Sequence, residues 1–220
     1  MVHNLDIDKK QDNMLPENKT KTEKQNQRQK QKTLTRQLLI ETAMRLFSEN
    51  GFSKTTTYAI SKEAGVSHGT VFAHFKTQEE LLTVIIEDFG NRVNSRLHEL
   101  AGKGDSLRDV LEAHIEGLQE FEDFYIRLVS ENRHLPQEAR NVFLLIQSTI
   151  SFHLSQAMDK EVAEGRIKNL PVHLVFNSWV GLLHHYITNN DLFCPEGSVL
   201  KRHGKEILEY YLSVLSDNKL

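Results

Sequence analysis

Between Gly51 and Lys76 the chain is punctuated too closely to form anything but short helices and tight turns. Gly51 closes an apolar-periodic run, as a left-handed cap does. The polar cluster Ser53-Lys54-Thr55-Thr56-Thr57 follows, and Thr56 can cap a helix Thr57–Ala64 by accepting a backbone N–H. Ala59, Ile60 and Ala64 supply its inner face, and Gly65 ends it. Ser67 can cap a further short helix reaching about His74. Two short helices joined by Gly65-Val66-Ser67 have the spacing of a helix-turn-helix, whose second helix enters the major groove of DNA.

The flanking sequence is helical in pattern. Upstream, Leu38, Leu39, Thr42, Ala43, Leu46 and Phe47 recur every three or four residues. Downstream, Gln78–Leu100 places Leu82, Ile85, Ile86, Phe89, Val93 and Leu97 on one side, and Gly102-Lys103-Gly104 breaks it. Further helices are predicted from Leu107 to about Glu120, over Glu122–Asn132, from Pro136 to about Glu164, over Val172–Ile187 and over Val199–Leu215. Four prolines and eleven glycines in 220 residues leave little punctuation for a many-turned β design. The fold class read from this pattern is all-α: a three-helix helix-turn-helix domain followed by a helical domain of about six helices.

Charge divides the chain more sharply than its net value of −3 suggests. Residues 19–85 carry eleven Lys/Arg against six acids, net +5, whereas residues 86–220 are net −6. A polyanion is therefore expected to meet only the front. The stretch Asn18–Thr33 has no large apolar side chain and cannot offset its ordering entropy by burial. Residues 1–32 are read as a disordered basic arm, 33–80 as the helix-turn-helix domain and 81–220 as a ligand-binding and dimerisation domain. Two roles stay open for the arm, a solvated tail or a phosphate or minor-groove contact.

The longest apolar run, Val142–Ile146, is far short of the ~20 residues that cross a bilayer. No secretory pattern opens the chain, and Cys194 has no second cysteine to pair with. A reduced, cytoplasmic setting is expected.

The front domain resembles the TetR family of one-component transcription regulators. The residues that carry the likeness are Ala43, Leu46-Phe47, Gly51-Phe52, Thr56-Thr57, Ile60, Ala64-Gly65-Val66-Ser67, Gly69-Thr70-Val71-Phe72, His74-Phe75, Lys76 and Glu80-Leu81-Leu82. The resemblance implies an all-α homodimer on a palindromic operator, with a small-molecule pocket in the rear domain and pairing through the last two helices. It presents Ser67, His68, Thr70, Phe72 and His74 to DNA, with Ser67, His68 and Thr70 as candidate base readers. Thr56, at a helix start with free N–H groups, and Lys76, as a point charge, are candidate phosphate contacts. Capping alone for Thr56, a solvated charge for Lys76 and packing for His74 are the plainer alternatives. Two positions depart from the family pattern: Phe72 stands where the family usually has Tyr, and Ala73 where a large polar residue is common. The recognition helix also lacks Arg, Lys, Asn and Gln, the side chains that pair bidentately with bases. Readout then leans on hydroxyls, imidazole, thymine methyls and groove shape.

In the rear domain, Tyr125, Phe143, Gln147, Phe152 and Trp179 are the candidate pocket lining, with His114, His153 and His184 as polar handles. Aromatic residues at helical spacing are equally the makings of an ordinary core. Val172–Ile187 is apolar nearly all round and must be covered on several sides. Phe176, Val180, Gly181 and His184 there, with Leu208, Tyr211, Leu212 and Leu215 on the last helix, are the candidate four-helix dimer interface. A core helix within one subunit is the alternative. His184-His185 adjacency points the rings apart, and no Cys-x-x-Cys or His-Glu-x-x-His pattern occurs, so neither a metal site nor a cofactor is expected. No nucleophile motif or phosphate-cradling loop argues for an enzyme. The expected partners are duplex DNA, a second copy of the chain and a small effector, with no membrane contact. The competing reading is a DNA-binding adaptor whose rear domain contacts a protein.

Overall fold

The computed structural model of the chain describes residues 16–101 and 106–216, with side chains over 23–99 and 106–216. Ten α-helices follow one another: α1 (Pro16–Asn50), α2 (Thr57–Glu63), α3 (His68–His74), α4 (Gln78–Ala101), α5 (Leu107–Gln119), α6 (Glu122–Glu131), α7 (Gln137–Ala163), α8 (Val172–Thr188), α9 (Asn190–Phe193) and α10 (Val199–Leu215). A 3-10 turn (Asn132–His134) separates α6 from α7. Among the described residues no strand forms beyond an isolated bridge between Ile167 and Ser216. The all-α expectation holds.

The first helix corrects one expectation. It starts at Pro16 rather than near Thr33, so residues 16–32 are helical and not a disordered arm. Burial was the wrong criterion for this segment. Gln, Lys, Arg and Glu are good helix formers, and between Glu17 and Thr33 there is no Gly or Pro. Extending a helix already docked at Leu39, Ala43 and Phe47 avoids the nucleation cost that an isolated segment meets. Residues 1–15 of that arm lie outside the described residues, as does the Gly102-Lys103-Gly104 break.

Helix α4 is the spine. Its inner stripe Leu81, Ile85, Ile86, Phe89, Val93 and Leu97 is at most 1% exposed, and it packs against α1, α5 and α7. Gly90 lets α7 come close: a Cβ there would lie 2.4 Å from Ile146 Cδ1. Gly204 does the same for α10 and Ile115 of α5.

Buried carboxylates fix two helix starts to distant elements. Glu122 of α6 accepts hydrogen bonds from the amides of Val199 (2.7 Å) and Leu200 (3.2 Å) and from Ser198 Oγ, so it caps α10. Glu161 of α7 accepts from Leu107 N at 2.8 Å, beside the capping box of Ser106 and Asp109 that opens α5. Carboxylates at helix N-termini satisfy orphan amides and favour the macrodipole.

Candidate nucleic-acid interface

The local chemistry of residues 51–80 accounts for the placement of α3. Thr55 is 2% exposed, and its hydroxyl donates to Gly51 O and Leu46 O, folding the α1–α2 connection onto the end of α1. Gln78 of α4 donates to Thr55 O. Thr56 Oγ1 caps α2 by accepting from Ala59 N at 3.1 Å. Gly65 takes φ +66°, the left-handed region that the reversal between α2 and α3 requires. Ser67 Oγ caps α3 by accepting from Thr70 N, also at 3.1 Å. Ile60, Val71 and Phe75 are 0–1% exposed and press the two short helices onto α1 and α4.

What remains outside is the opposite face of α3. Ser67, His68, Gly69, Phe72 and Ala73 are exposed, Thr70 and His74 are half-buried, and Lys76 stands exposed just before α4. Six of the seven residues expected at the DNA thus lie on or beside one surface, and the seventh, Thr56, is exposed at the start of α2. The polar groups of Ser67, His68 and Thr70 already have partners. The Ser67 and Thr70 hydroxyls bond each other at 2.8 Å. His68 Nε2 lies 3.0 Å from Thr57 Oγ1. The Lys76 backbone amide donates to Glu80 Oε2, and among the described residues no carboxylate pairs with its ammonium. His74 is pushed toward the neutral imidazole by burial and by the nearby cations Lys32 and Arg36.

Tyr58 was not anticipated from sequence. It is 65% exposed in the first turn of α2, edge-on to His68, which in turn meets Phe72 edge-on. Through His68 it stands beside Phe72, which has no hydroxyl of its own. An aromatic directly after a capping threonine pair was the available signal.

Helix α6 grips this domain from behind. Arg127 donates through Nε to Ser48 O (3.1 Å) and through a terminal nitrogen to Glu49 O (3.2 Å), at the carboxy-terminal end of α1. Glu131 accepts from Phe52 N at 3.1 Å, and its carboxylate sits against Gly51, where a Cβ would meet it at 2.5 Å. Phe52 meets Phe47 and Phe124 edge-on, Phe124 meets Phe89, and Phe89 stacks on Tyr125. Tyr125 then hydrogen-bonds His184 Nε2 at 2.7 Å. One run of packed rings therefore joins the back of the helix-turn-helix to α8.

The rear-domain expectations need correction. Phe152 is 59% exposed and lines no interior space. Trp179 is fully buried, donating to His114 Nδ1 at 3.0 Å and packing on Tyr211. Tyr125 and Phe143 are core residues in edge contact with each other, and Gln147 is half-buried. Open clefts lie elsewhere. One of about 700 Å³ runs between α1, the α5–α6 junction and the 190–198 segment, and one of about 240 Å³ lies between α4 and α7. Neither contains any of the five expected lining residues.

Most of the residues expected at the dimer interface are turned into their own subunit. Phe176, Val180, Leu208, Tyr211 and Leu215 are only 2–8% exposed within one subunit, leaving almost no area for a partner to cover. His184 turns inward to Tyr125, and Leu212 packs partly on the core. Gly181 alone of that set is open, with nothing within 4 Å of where a Cβ would stand. The apolar residues that α8 and α10 present outward are Leu174 (57% exposed), Tyr210 (61%) and Val214 (44%), with Leu182 and Tyr186 lining a groove between the helices. An all-round apolar helix states that it is covered on several sides, not which side belongs to its own subunit.

The family model described as bacterial regulatory proteins, tetR family, matches residues 39–85, the region that builds this surface. The helix-turn-helix region of this chain is that of a TetR-family regulator. Members of the family are DNA-binding transcription regulators and not enzymes. The HTH-type transcriptional regulator AcrR of Shigella flexneri is 29% identical over 199 residues, covering 81% of this chain and 89% of that protein. YerO of Bacillus subtilis, an HTH-type transcriptional regulator, is 33% identical over 103 residues, which is 44% of this chain and 36% of the relative. Among solved structures, the regulator FadR from Bacillus subtilis in complex with stearoyl-CoA superposes with a TM-score of 0.69 at 21% identity, over 80% of this chain and 97% of that one. A TetR-family regulator from Rhodococcus gives 0.70 at 20% identity, over 82% and 98%. These superpositions extend the shared fold through the rear domain of this chain.

Proposed function

We propose that this TetR-family protein is a ligand-responsive repressor, which binds a palindromic operator as a homodimer and leaves it when a small molecule occupies the carboxy-terminal domain. The observation that carries this reading is α3: a seven-residue helix, clamped by Ile60, Val71 and Phe75, with its outer face free and Lys76 at its edge. Ser67, His68 and Thr70 read base edges, Phe72 and Ala73 pack on sugar and thymine methyl, and Thr56, Tyr58 and Lys76 hold phosphates.

The outward face of α8 and α10 is the twofold contact. Leu174, Tyr210 and Val214 flank the open Gly181, and an isologous pairing buries the same patch on both subunits. Two recognition helices then meet successive major grooves about 34–36 Å apart. Ligand response is supported by the ring path and the α6 grip on α1, since any shift of α6 must move the carbonyl end of α1 and the Gly51 turn together. A relative of the same fold is known with stearoyl-CoA bound. The setting is cytoplasmic, where the DNA lies.

Selection from a random duplex pool followed by fluorescence anisotropy tests the reading. A palindromic site is expected, bound by a dimer. Ala73→Glu is expected to weaken it at least about 100-fold, because a carboxylate on the exposed face of α3 meets the phosphates. Unchanged affinity in that variant, or full selectivity from a single subunit, overturns it.

A further inference from the structure

Basic residues stand at positions 24, 28, 32 and 36, four apart on one helix. That interval places them along one slowly winding stripe of α1, about 18 Å from end to end. Lys24, Arg28 and Lys32 are exposed, as are all the positions from 23 to 34. Glu23 lies on the other side of the helix by the same periodicity. Among the described residues no carboxylate pairs with any of the four cations.

The inner end of the stripe touches the recognition helix. Arg36 lies 4.5 Å over the ring of Phe75, the residue that terminates α3. One of its terminal nitrogens is buried and finds no acceptor among the described residues. Lys32 and Arg36 are both near enough to His74 to disfavour its charged form. The stripe therefore starts at the carboxy-terminal end of α3 and runs outward from it. The family match begins at residue 39, so this segment lies outside it.

Like charges four residues apart repel along a helix, and here three such pairs follow in succession. A polyanion laid along the stripe removes that repulsion, and duplex DNA carries one charge per ~1.7 Å of axis. Resting on the reading of α3 above, we propose that the amino-terminal half of α1 is a second duplex-binding element, laying Lys24, Arg28 and Lys32 on the phosphates that flank the groove receiving α3. It carries affinity and salt dependence, not sequence choice.

The test compares the full chain with its Lys24→Gln/Arg28→Gln/Lys32→Gln variant on two duplexes. One ends at the selected palindrome, and the other adds ~10 base pairs of unrelated sequence on each side. Glutamine keeps helix propensity, and circular dichroism checks that helix content is retained. On the longer duplex the variant is expected to lose at least ~10-fold in affinity at moderate salt. Its slope of log K against log salt should fall by about 2.7 per subunit, at ~0.9 for each lost contact. On the short duplex the two proteins should agree. Identical slopes on the longer duplex overturn the proposal while leaving α3 in place. Equal losses on both duplexes put the stripe inside the palindrome and overturn the flanking assignment. If the unsubstituted chain selects no duplex, the reading of α3 fails first and this one with it.

Discussion

Acid should loosen the rear domain through two buried histidines well before carboxylates titrate. Trp179 Nε1–H donates to His114 Nδ1, so Nδ1 is an acceptor and the neutral ring carries its proton on Nε2, which is buried without a partner among the described residues. Burial pushes His114 down to about 3, helped by nearby His184, and burial alone pushes His184 down to about 4. In the unfolded chain both titrate near 6.5. The native state thus binds fewer protons than the unfolded state below pH 6.5. The stability these groups contribute is complete above 6.5 and is lost as pH falls toward their native values. Between pH 8 and pH 5 each histidine removes about 1.4 kcal/mol for each of roughly 1.5 pH units, or about 2 kcal/mol, so the pair removes about 4 kcal/mol. The figure depends on the unfolded value provided that the native ones lie clearly below 5. His74 and His153, also pushed down mainly by burial, add smaller losses of the same sign. Trp179, the sole tryptophan of the chain, reports the transition by its fluorescence. Urea midpoints measured from pH 7.5 to 5.0 should fall steeply for the natural chain and much less for His114→Gln/His184→Gln. A midpoint unchanged over that range would falsify the burial argument.

Gly51→Ala and Gly65→Ala form a matched pair. Both place a side chain at positive φ, costing about 1–2 kcal/mol, but only Gly51 also drives a Cβ into Glu131 and displaces it from Phe52 N. Urea denaturation should show Gly51→Ala worse by about 1 kcal/mol, and equal losses would remove the α6 grip from the account. Glu122→Ala strands the amides of Val199 and Leu200, which are 0% and 2% exposed, and is expected to cost about 3 kcal/mol in a thermal melt. Glu122→Gln, which keeps one acceptor oxygen, should recover part of that loss. Tyr210→Glu is expected to shift the proposed dimer to single subunits in sedimentation, with each subunit folded. A dimer of undiminished strength moves the twofold axis away from α8 and α10.

The front of the molecule was legible because its signals are local. Thr56 and Ser67 cap the helices that follow them, Gly65 needs a conformation other residues avoid, and Ile60 buries on the inner face its spacing gives it. The helix limits downstream were readable for the same reason. The helical state of residues 16–32 was not, because weak intrinsic preference becomes stable helix only when joined to a segment docked elsewhere.

From residue order alone came the all-α class, the two short helices of the helix-turn-helix, the basic front and the pair of apolar helices at the end. All of these depend on interactions within a few turns of chain, which periodicity and capping chemistry report directly. Only tertiary packing decided that Trp179 and Tyr211 face inward while Leu174 and Tyr210 face out. It also decided that Arg127 and Glu131 reach back about 79 residues to hold the end of α1, and that Tyr58 stands beside His68. Which face of an apolar helix is covered, and by what, is set by contacts between residues far apart in sequence, and periodicity along one helix carries no record of the helix that lies across it.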